Sequence, residues 1–272
     1  MIDTQAFLQT LQTEYAYVTP EKPSRRTLDR LLGWTDLWFY RRMMGVVLRG
    51  GQLYRAHQYN RKNWQDLSLD MWRAVEGCGG HIEVSGLEHL DALEGPAVIV
   101  ANHMSMLETF MIPAMVLPFT HMTFVVKKSL MHVPLFRYVM LGVRPIVVTR
   151  ENAREDMKVL MEEGESVLAE GRSIVVFPQS TRNPVLQPQQ FNSVAVKLAR
   201  RAQVPVVPLA LKTDFQSLGK WVKDMGRVHR DRKVHFRFGE PLTVTGNGRD
   251  QQEAIIRFIA EQYKSWGGTV EE

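Results

Sequence analysis

Two short polar runs in this sequence carry the residue types needed to move a proton and to hold an anion. Asn102-His103-Met104-Ser105-Met106-Leu107-Glu108 follows the apolar run 96–101, and Pro178-Gln179-Ser180-Thr181-Arg182 follows the apolar run 173–177. In a parallel sheet, sites collect where strands end and loops begin, so both runs stand where a site is expected. A histidine beside a carboxylate makes a general base: the imidazole takes the proton, and the carboxylate fixes its tautomer and stabilises the cation. His103 and Glu108 are too far apart in sequence to stack along one helix, but a loop histidine can fold back over the first turn of the helix that follows it. A second reading of the same residues is structural. Ser105-x-x-Glu108 matches a capping box, in which the glutamate accepts from the cap residue's N–H. Arg182, in a turn rich in hydroxyls and amides, has the chemistry to clamp a phosphate or to cap a turn.

The elements around these runs read as an α/β domain. Seven apolar runs read as strands, at 82–85, 97–100, 123–126, 146–149, 174–177, 206–211 and 234–238, several of them without alternation. Unbroken apolar strands are those buried on both faces of a parallel sheet. Helical patterns fall between or after them at about 106–117, 152–170, 190–203 and 251–265. The alternation predicts a mostly parallel β-sheet flanked by helices. The segment 219–232 is charged and contains glycine, and reads as a surface loop.

The first 76 residues differ and read as a separate helical element ahead of an α/β domain over 77–272. Apolar residues crowd the stretch 27–48, among them Leu28, Leu31, Leu32, Trp34, Leu37, Trp38, Phe39 and Met43. Arg25, Arg26, Arg30, Arg41, Arg42 and Arg49 interleave with them. Gly50-Gly51 is expected to end this helix, and a second runs from about 53 to 75. Bulky apolar groups beside arginine make an interfacial amphipathic helix, although a helix packed on the core with an arginine edge has the same pattern. Residues 22–73 hold eleven Lys/Arg against four Asp/Glu, while the whole chain is only +5. The charge is therefore local, which points to an anionic partner at one place: lipid headgroups or nucleic acid.

Composition narrows the field. With 272 residues, 44% apolar and 23% charged, the chain can fill a large core and is neither disordered nor fibrous. One cysteine, Cys78, excludes an intrachain disulfide and a cysteine-rich metal cluster. No apolar run reaches the length of a transmembrane helix, and the N-terminus lacks the pattern of a secretory signal, so an intracellular setting is expected. The eight histidines are scattered without a metal-binding spacing, so no metal is expected. Gly246-Asn247-Gly248 lacks the third glycine of a dinucleotide fingerprint. The aromatics of the basic segment sit within an apolar helical stripe rather than on a stacking surface, which disfavours nucleic acid. There is no G-x-S-x-G elbow, and Cys78 sits in a glycine loop, so no enzyme nucleophile is evident.

Four blocks in order resemble the PlsC-like 1-acylglycerol-3-phosphate acyltransferase superfamily. They are Asn102-His103…Glu108, Gly142-Val143-Arg144-Pro145-Ile146-Val147-Val148-Thr149-Arg150, Phe177-Pro178-Gln179-Ser180-Thr181-Arg182 and Val204-Pro205-Val206-Val207-Pro208. Val126-Lys127-Lys128-Ser129-Leu130 resembles the lysine-bearing segment between the first two. The resemblance covers residues 80–245. It implies direct transfer of an acyl chain from an acyl thioester, acyl-CoA or acyl-ACP, to the free hydroxyl of a lysolipid, with His103 and Glu108 as the general-base dyad and no cofactor beyond that co-substrate. By the same resemblance the acceptor's phosphate goes to Arg182 and Arg150, with Lys127, Gln179, Ser180 and Thr181 as further binding residues. The expected default acceptor is 1-acylglycerol-3-phosphate, and the expected setting is the cytoplasmic face of the membrane, held peripherally or monotopically on anionic lipid. Glu108 stands where the family usually has aspartate. Gln179 and Ser180 replace the glutamate and glycine of the third block. These changes leave room for another lysolipid or an aminolipid as acceptor, for a thioester or lysolipid hydrolase, and for a non-catalytic membrane-binding relative.

Overall fold

The apolar runs fold as their patterning requires. In the computed structural model, which describes residues 3–20, 26–31, 35–134, 136–179, 181–220 and 222–271, the chain order is α1 (Thr4–Thr13), β1 (Tyr17–Val18), α2 (Thr27–Leu31), α3 (Leu37–Arg55), α4 (Arg61–Gly77), β2 (Ile82–Ser85), α5 (Glu88–Asp91), β3 (Val98–Ala101), α6 (Leu107–Val116), β4 (His121–Lys127), α7 (Phe136–Val143), β5 (Ile146–Val148), α8 (Ala153–Ala169), β6 (Arg172–Val176), α9 (Val194–Ala202), β7 (Val206–Lys212), β8 (Val234–Phe238) and α10 (Arg249–Ser265). A 3-10 helix, Lys128–His132, joins β4 to α7. The strands form one eight-stranded sheet in the order β1-β2-β8-β7-β3-β6-β4-β5. Only β1–β2 and β7–β8 pair antiparallel. All seven predicted strands are present, and the two-residue β1 adds an edge that carries no periodicity to read.

The central strand β3 pairs in parallel with β6 on one side and β7 on the other. Every residue from Val98 to Ala101 is at most 2% exposed, because helices cover both sheet faces. The C-terminal ends of β3, β6 and β7 therefore lie side by side. The loops that leave them are the two polar runs and the residues after Lys212.

The N-terminal region departs from expectation in two ways. First, α3 does not stop at Gly50-Gly51 but continues to Arg55. Both glycines are buried; a Cβ on Gly50 would meet Val139 at 3.0 Å and Leu67 at 3.2 Å, and one on Gly51 would lie 3.6 Å from Tyr138. Close approach of α4 and α7 outweighs the propensity cost of about 1 kcal/mol per glycine. Second, the helical region is not set apart from the α/β part. Trp72 of α4 is fully buried and stacks edge-on against Phe7 and Tyr17, while Phe39 of α3 meets Phe215 in the same way. Phe39, Trp72, Ile82 and Ile99 share one core cluster, so residues 1–76 contribute to the core of the α/β unit. Arg25, Leu32 and Trp34 lie outside the described residues.

Gly86 tests the tie between β2 and β8. It sits at φ +84°, and a Cβ there would come within 2.1 Å of the Phe238 carbonyl oxygen. Gly86→Ala is expected to lower unfolding free energy by about 2 kcal/mol or more, from strain and displaced backbone. Gly95→Ala, with nothing within 4 Å of its Cβ, should stay within about 0.5 kcal/mol of the wild type in urea denaturation.

Candidate active site

β3 ends at Ala101, and Asn102 locks the turn that follows: its side-chain amide donates to Leu211 O at 2.8 Å, and its Oδ1 accepts from Leu211 N at 2.9 Å. This clamp to β7 aims the chain so that His103 comes back over the start of α6. His103 Nδ1 and Glu108 Oε1 are 2.9 Å apart. A carboxylate only accepts, so Nδ1 carries a proton, and in the neutral ring Nε2 keeps its lone pair. The imidazole stacks on Phe177, with centroids 4.1 Å apart and planes 19° from parallel, and Phe177 stacks in turn on Phe124. One hydrogen bond and one stacking contact thus fix the ring.

Glu108 is fully buried, and both of its oxygens are engaged. Oε1 also accepts from Met104 N at 2.7 Å and Ser105 N at 2.8 Å, while Oε2 accepts from Ser105 Oγ at 2.7 Å and Thr213 Oγ1 at 2.6 Å. Ser105 Oγ receives Leu107 N at 3.1 Å. The capping box and the histidine pair are therefore both present, and one carboxylate serves both. Burial by itself would push the Glu108 carboxyl up. Hydrogen bonding and charge from His103, with bonds from Thr213 and Ser105, outweigh it and hold the group below its ordinary range.

The third-block loop is stitched to the first. Asn183 N donates to His103 O at 3.0 Å, and His103 N donates to Gln179 Oε1 at 2.8 Å. Gln179 is 1% exposed and does not line the cavity, so its expected place among the substrate-binding residues is corrected: its carbonyl oxygen is taken up in holding the His103 backbone. A glutamate there could accept the same N–H, which accounts for the exchange of one side chain for the other. Ser180 lies outside the described residues.

His103 borders a cavity of about 430 Å³ between the sheet ends and the N-terminal helices. Its walls are apolar, with Val46 and Val47 from α3, Phe110 from α6, and Val139 and Met140 from α7. Lys127, Arg150, Arg182 and Lys223 also line it, all but Arg182 exposed, and Thr181 joins them. Arg182 is ion-paired with Asp224, the one carboxylate among the described lining residues. Arg150 has a left-handed backbone, φ +60°, and its N–H donates to Asp156 Oδ2 at 2.6 Å. Desolvation lowers the affinity of the Arg150 guanidinium for its proton; Asp156 opposes this and the nearby charge of Arg182 adds to it. Two cations close enough to act on each other form a site that gains from an arriving anion.

The structure thus brings together His103, Glu108, Arg150, Arg182, Lys127 and Thr181. It adds Thr213, Phe124 and Asp224, which the sequence did not single out. Thr213 follows β7 directly, so its place beside the end of β3 becomes visible only once strand order is known. Among the described residues no group of three or more His, Cys, Asp or Glu could hold a metal ion.

The domain that carries this histidine–carboxylate pair is similar to known proteins in sequence and in fold. Residues 81–212 match the family model named Acyltransferase. A Pseudomonas aeruginosa protein named 1-acyl-sn-glycerol-3-phosphate acyltransferase is 33% identical over 168 residues, 61% of this chain and 63% of that protein. A probable 1-acyl-sn-glycerol-3-phosphate acyltransferase of Mycoplasma pneumoniae is 29% identical over 152 residues, 53% of this chain and 56% of that one. The chain thus matches less than two thirds of the length of each relative. The crystal structure of the 1-acyl-sn-glycerophosphate acyltransferase PlsC from Thermotoga maritima superposes with a TM-score of 0.64 at 17% identity, over 87% of this chain and 96% of that one. Residues 81–212 are thus similar in sequence to acyltransferases, and the fold is that of the PlsC structure.

The state of Glu108 has a thermodynamic signature. Its carboxyl binds its proton less readily folded than unfolded, so it stabilises the fold at neutral pH, and that contribution is lost as pH falls through the carboxylate range. The wild type should lose stability between about pH 5 and pH 3 more steeply than Glu108→Gln. Urea midpoints measured across that range for both proteins check this; parallel curves would contradict a buried, ionised Glu108.

Proposed function

We propose that this chain transfers an acyl chain from an acyl thioester, acyl-CoA or acyl-ACP, to the free hydroxyl of a lysolipid. The first candidate is 1-acylglycerol-3-phosphate, which would give phosphatidate. The observation that carries the reading is the buried, fully hydrogen-bonded Glu108 holding His103 with Nε2 free to accept a proton, beside an apolar cavity that Lys127, Arg150, Arg182 and Lys223 also line. His103 Nε2 takes the proton as the acceptor's oxygen bonds to the thioester carbonyl carbon. The tetrahedral intermediate then collapses, the carbon–sulfur bond breaks, and the imidazolium proton goes to the thiolate. The products are one ester and one free thiol. A thiol with a pKa near ~8.5 leaves with little acid assistance, so the alcohol is the partner that needs help, and a base suffices.

In this reading Arg182 and Arg150 take the acceptor's phosphate, with Lys127 and Thr181 at the same opening, and the apolar cavity takes hydrocarbon. The acceptor is reached from the bilayer surface. No described helix is long and apolar enough to cross a membrane, so the protein would sit peripherally or monotopically on anionic lipid, at the cytoplasmic face. The exposed Arg26, Arg30 and Arg41, with Leu31 at 70% and Leu37 at 61% exposure, support that placement.

Thiol release coupled to lysolipid acylation, read by mass across a panel of lysolipids, tests the proposal. His103→Ala should lower kcat by about 10²–10⁴-fold. Arg182→Ala should raise KM for a phosphate-bearing acceptor roughly tenfold or more, as loss of a charge-assisted contact predicts. Thiol release that proceeds equally without acceptor would make the chain a hydrolase, and undiminished activity in His103→Ala would remove the base.

A further inference from the structure

Bulky apolar side chains are exposed unevenly over this molecule. Of the nine large apolar side chains exposed among the described residues, six, Leu37, Leu48, Leu130, Val133, Val222 and Met225, belong to segments that also line the cavity, while Val18, Leu28 and Leu31 do not. Val222 and Met225, each 53% exposed, stand in the connection between β7 and β8 rather than in the N-terminal helices. That connection is a built loop. Gln216 and Val228 bridge across its base in antiparallel fashion, and Ser217 N donates to Arg227 O at 3.0 Å. Within it, Gly219 N donates to Lys223 O at 3.1 Å and Met225 N to Val222 O at 2.9 Å. Gln216 Nε2 donates to Asp224 O at 3.0 Å, and the Tyr40 hydroxyl of α3 donates to Gly226 O. A Cβ on Gly226 would fall 1.9 Å from Ser217 O, so the close approach of the two limbs requires glycine there.

Val222 and Met225 stand exposed on a loop whose described residues are tied by these bonds. Lys220, Lys223 and Arg227 are exposed beside them, and Lys128 is exposed on the 3-10 helix whose Leu130 also lines the cavity. Apolar tips with lysine and arginine around them match the boundary between acyl chains and anionic headgroups. The inner side of the loop bears Asp224, paired with Arg182. The exposed tip and the cation assigned to the acceptor's phosphate are therefore joined by a single loop.

We infer that the Gln216–Val228 loop is a second membrane contact, with Val222 and Met225 entering an anionic bilayer at the cavity mouth, so that a lysolipid leaving the bilayer meets Arg182 at once. The inference rests on the membrane-surface reading above and adds to it where the surface is touched.

A fluorophore at Met225→Cys reads the contact directly, since the chain's one native cysteine, Cys78, is fully buried. With vesicles of mixed phosphatidylglycerol and phosphatidylcholine the probe should shift to the blue, with pure phosphatidylcholine it should not, and a probe at Glu253→Cys on α10 should stay in water throughout. Val222→Ser should weaken binding to the anionic vesicles about tenfold, the worth of burying one such side chain. It should leave acylation of a dispersed short-chain acceptor unchanged. Protein that sediments with anionic vesicles while the Met225→Cys probe stays in water overturns the loop contact alone. Protein that acylates the dispersed acceptor but never sediments overturns the membrane-surface reading together with it.

Discussion

Glu108 is a charge in the middle of a hydrophobic core, and much of the site follows from keeping it there. A buried carboxylate without partners would be strongly destabilising or would take up a proton. Five donors prevent that: His103, two backbone amides of the same loop, and the Ser105 and Thr213 hydroxyls. Thr213 lies 105 residues further along the chain, so the carboxylate can be satisfied only if β7 ends beside β3. The Asn102 clamp to Leu211 enforces the same neighbourhood from the backbone side. Sheet order and site geometry are thus mutually dependent, and a change that parted these two strands would expose the charge and release the histidine together.

That constraint also explains why the histidine is held in one state. With Nδ1 committed to the carboxylate and the ring face on Phe177, rotation of the imidazole would break a hydrogen bond to a buried anion and a stacking contact at once. The glutamate and the third-block loop reach the same residue from different sides, the first through the ring and the second through Gln179 and Asn183 at the backbone. The imidazole is therefore oriented by the fold alone, from both its ring and its backbone.

The legible parts of this architecture were those written in short-range pattern. Unbroken apolar runs gave the strands, and a histidine and a carboxylate following one of them gave the pair. The capping reading was equally legible, and spacing could not choose between them because Glu108 does both. Gln179 misled for a physical reason: a polar side chain in a site loop looks like a ligand contact, and only the fold shows its oxygen turned to a neighbouring backbone. Gly50 and Gly51 misled likewise, since propensity ends a helix there while helix packing, unseen in sequence, carries it through. Asp224 lay in a segment rightly read as a loop, but its pairing with Arg182 depends on how far that loop folds back.

The basic N-terminal segment shows how local charge balance and surface charge can part company. Its acids turn inward: Asp29 is fully buried and Asp70 nearly so, while Asp36 caps the region from the side. Arg230, from the α/β part, pairs with both Asp29 and Asp36, and Arg49 and Arg73 pair with Asp70. Two of the segment's four acids, Asp29 and Asp36, are thus spent on an arginine that the segment does not itself supply, and a third, Asp70, on arginines within it. Its own Arg26, Arg30 and Arg41 remain exposed. The outward field is therefore more positive than the segment's composition alone would make it, and the ion pairs that dock the helices on the core are what turn a modest excess of arginine into a cationic face.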